Sequence, residues 1–391
     1  MPRSSIILGL SDYQIDRIYG GDPVLMDVSY QGSVSCPFCG SKHLRTKSRY
    51  IRKLRHDNYG NRPCFLMLTG RKYLCRECAR YFNQRFPGIL PYRRSTEVFR
   101  RRVFRDHMDG ICSKTLAERE HIGSATVERW YHFFLEKKVS ESRNEPCPEI
   151  LGIDEHFFTR KQGYATTLCD LKHRKVFDIV LGRSERSLEG YMRRLKGRDN
   201  VKVICIDLSV TYRSIVKKYF PNAVIVADRF HVIRIINHHF IAAWKALDPI
   251  AGKNRGMLSL MRRHEKNLKP DQKDRLASYF KEKPEIGIIY HFKQELCWML
   301  TRKTCCEKTC REMLPRLLSS IEMLRDSDLE SMCRLGNTLH NWVDEIARMW
   351  RYTRNNGITE GYHNKMKMIV RRAFGFRNFE NYRLRVKALC A

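Results

Sequence analysis

Acidic residues and long apolar runs are what this chain has little of. Its 42 Asp and Glu stand against 74 Lys and Arg, a net charge of +32 over 391 residues. That imbalance favours a polyanionic partner, nucleic acid first and an anionic membrane surface second; the plain alternative is a solvated basic surface. No stretch of about 18 apolar residues occurs, so no transmembrane helix is expected. The opening MPRSSIILGLSDYQIDR turns polar and acidic too soon for a signal peptide. A soluble, cytoplasmic protein is the expectation. In that compartment 15 cysteines argue for metal ligation or buried thiols.

The length exceeds one compact core and predicts two or three domains. Residues 41–105 carry 19 Lys or Arg against Asp57, Glu77 and Glu97, so half of the surplus charge sits in a sixth of the chain. Backbone phosphates are expected there. The same region holds two C-x-x-C pairs, Cys36-Pro-Phe-Cys39 and Cys75-Arg-Glu-Cys78. Four thiolates on facing hairpins suit a tetrahedral Zn²⁺, and the alternative is four thiols packed in a core. The gap between the pairs is long, and residues 47–72, with their alternation at Cys64-Phe65-Leu66-Met67-Leu68, read as extra strands of the ribbon. His43 and His56 are ordinary polar positions on this reading, and Cys305, Cys306 and Cys310 are helix-packing thiols.

Residues 112–135 read as helix, turn, helix: 114–119 form the first helix, Ile122-Gly123-Ser124 the turn and N-cap, and Thr126 opens the second. In a DNA-binding helix-turn-helix, Thr126 and Arg129 would face base edges and Lys114 would lie nearby. Such helix pairs are common, and the zinc ribbon and basic stretch before this one give it weight. Residues 141–148 look like a linker.

The centre changes character. Strand-like runs at 150–154, 164–171 and 175–182 precede a helix at 187–195, a strand at 201–207, a helix at 212–219 and a strand at 222–228. This β-β-β-α-β-α-β order predicts a ribonuclease-H-like α/β sheet whose first and fourth strands are neighbours. Asp154, Asp207 and Asp228 each end a hydrophobic strand. Acids commonly sit in strand-end turns, but their repetition makes a site. Carboxylates of this kind suit two Mg²⁺ or Mn²⁺ ions, which can activate the attacking oxygen and stabilise the leaving oxygen at a phosphodiester. Residues 240–349 read as a helical insertion. Beyond it, a Gly-containing turn at 354–357 starts a helix carrying Glu360, a third acid or simply a helix cap, then the basic face Lys365, Lys367, Arg371 and Arg372. Asp170 and Glu155 are expected to point to the opposite strand faces and to be structural.

Several stretches resemble transposases of the ISL-three insertion-sequence family: Gly152-Ile153-Asp154-Glu155-His156-Phe157-Phe158, Gly182-Arg183-Ser184, Asp228-Arg229-Phe230-His231-Val232 and the long run from Asn355 through Glu360-Gly361-Tyr362-His363-Asn364-Lys365 to Phe379. The paired cysteines and the helix pair fit as well. The resemblance implies a catalytic triad of Asp154, Asp207 and Glu360, with Asp228 competing for the second place and Asp228 with His231 as an auxiliary element. It also implies binding of double-stranded DNA, both transposon ends and target, by two copies in a synaptic complex.

The resulting expectation is a zinc ribbon over 1–90, a helix-turn-helix over 91–145 and a catalytic domain over 146–391, forming a DNA transposase that associates with the nucleoid when bound. Two rivals stay open, a zinc-dependent DNA-binding regulator without catalysis and a structure-selective nuclease or resolvase.

Overall fold

The computed structural model describes residues 3–140, 145–303, 305–352 and 357–390. The chain divides into two compact units, residues 1–140 and 141–391.

The first unit contains α1 (Arg3–Leu8), β1 (Tyr13–Tyr19), β2 (Val24–Tyr30), β3 (Leu44–Tyr59), β4 (Arg62–Cys75), β5 (Tyr81–Asn83), α2 (Glu97–Met108), α3 (Ser113–Glu120) and α4 (Ser124–Ser140). The expected extra ribbon strands are the long antiparallel hairpin β3–β4, paired from Leu44 opposite Cys75 to Tyr59 opposite Arg62 with register shifts after Thr46 and after His56. Period-two alternation buries Cys64, Leu66 and Leu68 of β4. They pack on Val24, Met26 and Val28, because β2 joins β4 in parallel, a pairing across the sheet that local patterning does not announce. Thr96 caps α2 by accepting from the Phe99 amide, and Phe99, Val103, Leu116 and Val127 form the small core shared by α2, α3 and α4.

Not all of the basic charge of residues 41–105 faces solvent. Arg55 and Arg100 are buried. The wholly buried Glu120 carboxylate accepts from Arg55 at 3.2 Å and from both terminal nitrogens of Arg102 at 2.9 and 2.6 Å. Burial works to raise the Glu120 carboxyl, but the hydrogen bonds and charge of Arg102, with those of Arg119, outweigh it and hold the group below its ordinary value.

The second unit holds β6 (Ile150–Thr159), β7 (Gly163–Asp170), β8 (Lys175–Leu181), α5 (Glu185–Arg194), β9 (Val203–Ile206), α6 (Val210–Tyr219) and β10 (Val224–Ala227). Eight further helices follow: α7 (Arg229–Leu247), α8 (Arg255–Arg262), α9 (Pro270–Glu282), α10 (Pro284–Thr301), α11 (Glu307–Arg325), α12 (Glu330–Asn341), α13 (Val343–Ala347) and α14 (Gly357–Arg372), before the closing α15 (Phe379–Cys390). The sheet order is β10-β9-β6-β7-β8. β6, β7 and β8 form an antiparallel meander, while β9 and β10 run parallel to β6, joined by helical crossovers. Leu151, Ile153, Ile204 and Ile206 pack with Leu188, Ile215, Ile236, Leu296, Leu317 and Leu335 from α5, α6, α7, α10, α11 and α12. Phe158, Cys169, Ile179 and Cys205 pack with Met366, Ile369, Tyr382 and Val386 of α14 and α15. Covered on both sides, the central strands read as near-continuous apolar runs. The helical stretch begins at Arg229, eleven residues before the expected 240, because α7 follows β10 with only Asp228 between them. Arg229 is buried and donates to the carbonyls of Leu300, Arg302 and Met349, tying the start of α7 to the end of α10 and the turn before residue 351.

Removing one partner of a buried ionic cluster leaves the others desolvated and unpaired. Glu120→Gln should therefore destabilise the first unit by about 3 kcal/mol, and the exposed Glu118→Gln by less than about 0.5 kcal/mol. Native-state hydrogen exchange of the α2, α3 and α4 amides measures the difference.

Candidate functional site

Parallel pairing brings Asp154, Asp207 and Asp228 to one level; Asp154 does not end its strand as expected, because β6 runs on to Thr159 paired with β7, and it is the pairing with β9 that stops at Ile153. Ile153 of β6 lies opposite Ile206 of β9, and Ile206 opposite Ala227 of β10. Asp154, Asp207 and Asp228 are each the next residue, so with strands about 4.8 Å apart they form a row in which Asp207 is central. Alternation assigns Asp154 to the face of Phe158, the one that α14 covers, and Glu360 and His363 of α14 complete the same pocket. Its lining is Asp154, Glu155, Tyr164, Asp207, Asp228, Phe230, His231, Arg234, Glu360 and His363, around a cavity of about 270 Å³. Asp154, Asp207, Asp228, His231 and Glu360 thus share one cavity. Among the described residues only the four zinc-ribbon cysteines bring three or more metal-type donor atoms within 4.8 Å of one another; no three donors of the acid pocket do so together.

The acids differ in how their oxygens are occupied. Asp154 Oδ1 accepts from the Glu155 amide at 2.8 Å, and Oδ2 lies 3.8 Å from His363 Nδ1. Asp228 caps α7, accepting from the Phe230 amide, and its other oxygen is 2.7 Å from His231 Nδ1. Asp207 Oδ1 is buried with no hydrogen-bond partner among the described residues. Burial pushes the carboxyls of Asp154 and Asp207 up to about 6, against the opposing charge of His231. Burial also works against charging His231, but its bond to Asp228 outweighs that and raises it above the ordinary imidazole value. A row of desolvated carboxylates with one orphaned oxygen is electrostatically incomplete, and hard cations are the natural complement.

Two residues that sequence reasoning left unassigned support this row. His156 Nδ1 lies 2.9 Å from Thr167 Oγ1, which is 3.1 Å from His363 Nε2, and His156 Nε2 is 2.8 Å from the Tyr382 hydroxyl. Burial pushes His156 down to about 3 and His363 down to about 4, so both are neutral at pH 7. The cue was available, because His156 shares the strand face of Asp154, two residues away. Glu155 belongs to the opposite face by alternation and pairs with Arg183 at 2.9 Å, as a structural acid would, yet it also lines the pocket rim. Asp170 lies at the far end of β7, where it accepts from the amides of Lys172 and His173.

The thiols of Cys36, Cys39, Cys75 and Cys78 all lie within 4.8 Å of one another, with Cys36–Cys78 and Cys39–Cys75 sulfurs 3.6 Å apart. Tetrahedral thiolates about 2.3 Å from Zn²⁺ are separated by roughly 3.8 Å, so the quartet fits the ion. The hairpin explains the long spacing, since its first strand follows one pair and its second runs into the other. Gly40 at φ +77° closes the first knuckle, its amide donating to the Cys36 carbonyl. His43 pairs instead with Glu77, and His56 is buried against Thr96. Cys305 and Cys310 pack against the core, as expected of packing thiols, whereas Cys306 is exposed at the N-cap of α11.

Of the residues expected to meet DNA, Lys114 and Arg129 are exposed and Thr126 half-buried on α3 and α4, with Arg129 donating to Thr126 Oγ1. Lys365, Arg371 and Arg372 are exposed along α14, where Lys365 donates to the Leu389 carbonyl. The expected turn residues 354–356 lie outside the described residues, as do linker residues 141–144. No described helix is long and apolar enough to cross a membrane.

With four thiolates required to close the site, the protein should carry one zinc per chain by metal analysis. Cys75→Ser should release most of it, with loss of hydrogen-exchange protection in β3 and β4.

Residues 151–386 match the ISL3-type family described as transposase, and residues 32–78 match the zinc-finger of transposase IS204/IS1001/IS1096/IS1165. The transposase for insertion sequence element IS1001 of Bordetella parapertussis is 24% identical over 378 residues, covering 90% of this chain and 88% of that relative. With its α/β unit matched almost from end to end and its cysteine quartet falling inside the zinc-finger match, the chain belongs to the ISL3 family of transposases, enzymes that act on DNA.

Proposed function

We propose that this transposase is of the DDE type, with a ribonuclease-H-like core in which Asp154, Asp207 and Glu360 hold two Mg²⁺ or Mn²⁺ ions. The observation that carries the reading is the row of acids one residue beyond the paired Ile153, Ile206 and Ala227, faced by Glu360 from α14 around one cavity. Asp207 is the stronger second ligand. Its Oδ1 is unpartnered, whereas Asp228 is engaged by the α7 amide and by His231. When bound, the ions supply activation of the attacking oxygen and charge stabilisation of the leaving oxygen at the scissile phosphate. The chain's own residues orient the donors: His363 flanks Asp154, and Asp228 with His231 closes the end of the row.

The first unit is proposed as the DNA-reading head, a zinc ribbon over 1–90 and a helix-turn-helix over 91–145, joined to a catalytic domain over 146–391 with a helical insertion. Lys114, Thr126 and Arg129 would meet the terminal inverted repeats, and Lys365, Arg371 and Arg372 would meet phosphates near the cut. One copy per element end makes a homodimeric synaptic complex.

Asp154→Asn, Asp207→Asn and Glu360→Gln should each lower cleavage of end DNA in Mn²⁺ by on the order of a thousandfold or more, with end binding unchanged within about threefold. Strand joining by the wild type separates transposition from a nuclease, and wild-type cleavage separates both from a regulator. An active Asp207→Asn protein would hand the second place to Asp228.

The raised carboxyls of Asp154 and Asp207 make a second test. Their folded-state values near 6 exceed the unfolded values, so the folded protein binds more protons between about pH 4 and 6. Without divalent ions, each acid should cost roughly 2 to 3 kcal/mol of folding stability once the pH rises above 6. Melting of the zinc-loaded protein at pH 7.5, in buffer free of Mg²⁺ and Mn²⁺, should therefore rise on Asp207→Asn substitution. Mn²⁺ should stabilise the wild type more at pH 7.5 than at pH 5 and leave Asp207→Asn nearly unmoved.

A further inference from the structure

A groove runs away from the acid pocket along one side of α7. It shares Phe230 and Arg234 with the pocket and continues past Asn237, Ile241 and Lys245, with Arg262 at the end of α8 completing its wall. Those α7 positions recur at three- and four-residue steps, so they make one stripe of the helix. From residue 230 to 245 the stripe extends about 22 Å at 1.5 Å per residue. The cavity is about 560 Å³ and opens to solvent along its length.

The chemistry of the lining is of two kinds. Ile233, Ile241 and Ala242 make an apolar floor, and Phe230 is exposed at the end that meets the acids. Arg234, Lys245 and Arg262 supply positive charge, and the lining contains no acid. None of the three cations makes an ion pair among the described residues, in a chain where many exposed arginines do. Duplex DNA presents phosphates outward and hides its base faces, so it would satisfy the cations and leave the apolar floor unused. Unpaired nucleotides present both complements: phosphates to the cations, and base faces to Phe230 and the aliphatic floor.

We propose that this groove holds unpaired nucleotides of the strand that leads to the scissile phosphate, so that the duplex opens at the cleavage junction as the phosphate enters the acid pocket. The proposal rests on the metal-dependent cleavage assigned above to Asp154, Asp207 and Glu360. Phe230 and Arg234 lie where the strand passes from groove to pocket, and Lys245 and Arg262 hold it farther out. Opening the pairs costs free energy, which capture of the released strand offsets.

The test uses the full-length zinc-loaded protein, the double variant Lys245→Glu/Arg262→Glu, and duplexes spanning the junction of the element's terminal repeat with its flank. One duplex is fully paired, and a second carries mismatches at the junction. Both substitutions are of exposed side chains, and unchanged circular dichroism and zinc content establish that the variant is folded. In Ca²⁺, which holds the complex without turnover, thymines at the junction of the paired duplex should react with permanganate when the wild type is bound and at least about fivefold less with the double variant. In Mn²⁺, the variant should cut the paired duplex at least about tenfold more slowly than the wild type, with end binding within about twofold, and the deficit should shrink to under about threefold on the mismatched duplex. Wild-type cleavage with unreactive thymines, or equal cleavage of the paired duplex by the two proteins, would overturn the groove assignment and leave the acid pocket standing. Equal cleavage by wild type and Asp154→Asn, or none by either, would instead refute the acid pocket and take the groove's role with it.

Discussion

The in-register parallel pairing of β6, β9 and β10 is the constraint from which the site descends. It sets Ile153, Ile206 and Ala227 side by side, and so forces the following aspartates into a row at one sheet edge. Parallel strands of this kind persist only where both faces are covered, and here α5, α6 and the helical layer cover one face while α14 and α15 cover the other. The same covering desolvates the acids, which is why Asp154 and Asp207 titrate near 6. Packing that stabilises the sheet therefore opposes the charge at its edge.

The first unit meets a different difficulty, because its cores are small and divided. One lies between β2 and the β3–β4 hairpin, another under α2, α3 and α4, and a third around Cys36, Tyr73, Cys75 and Phe82 beside the thiols. Two polar devices make up for the missing apolar volume. A four-thiolate site closes the open end of the long hairpin, and Glu120 gathers Arg55 and Arg102 between hairpin and helices. Arg55, Arg100 and Arg102 consequently serve the interior, while most arginines of residues 41–105 stay exposed.

Local sequence carried the features that depend on period and spacing. Apolar runs ending in aspartate marked the strands that carry the acid row, and the two C-x-x-C pairs marked the ribbon because ligand geometry constrains their spacing. Features set by long-range pairing were illegible. The parallel docking of β2 on β4 brings together residues some 40 apart with no local cue, and the inward turn of Arg55 depends on Glu120, 65 positions later. His156 and His363 stood in plain view beside Asp154 and Glu360. Their link through Thr167 exists only once β7 lies against β6 and α14 crosses that face. The pocket position of Glu155 is a limit of the alternation rule itself. Where β9 stops pairing with β6 after Ile153, side chains on opposite faces of β6 can both reach the same cavity.

Arg229 has a mechanical consequence. Its guanidinium holds carbonyls from two separate stretches, Leu300 and Arg302 at the end of α10 and Met349 in the turn at Arg348–Trp350. The root of α7 is thereby tethered at three points, and this helix cannot tilt without straining them all. A load applied along α7 passes into the helical layer as a whole, instead of prying open its first turn. Asp228, which caps that turn, keeps its height beside Asp207 while the strain is borne elsewhere.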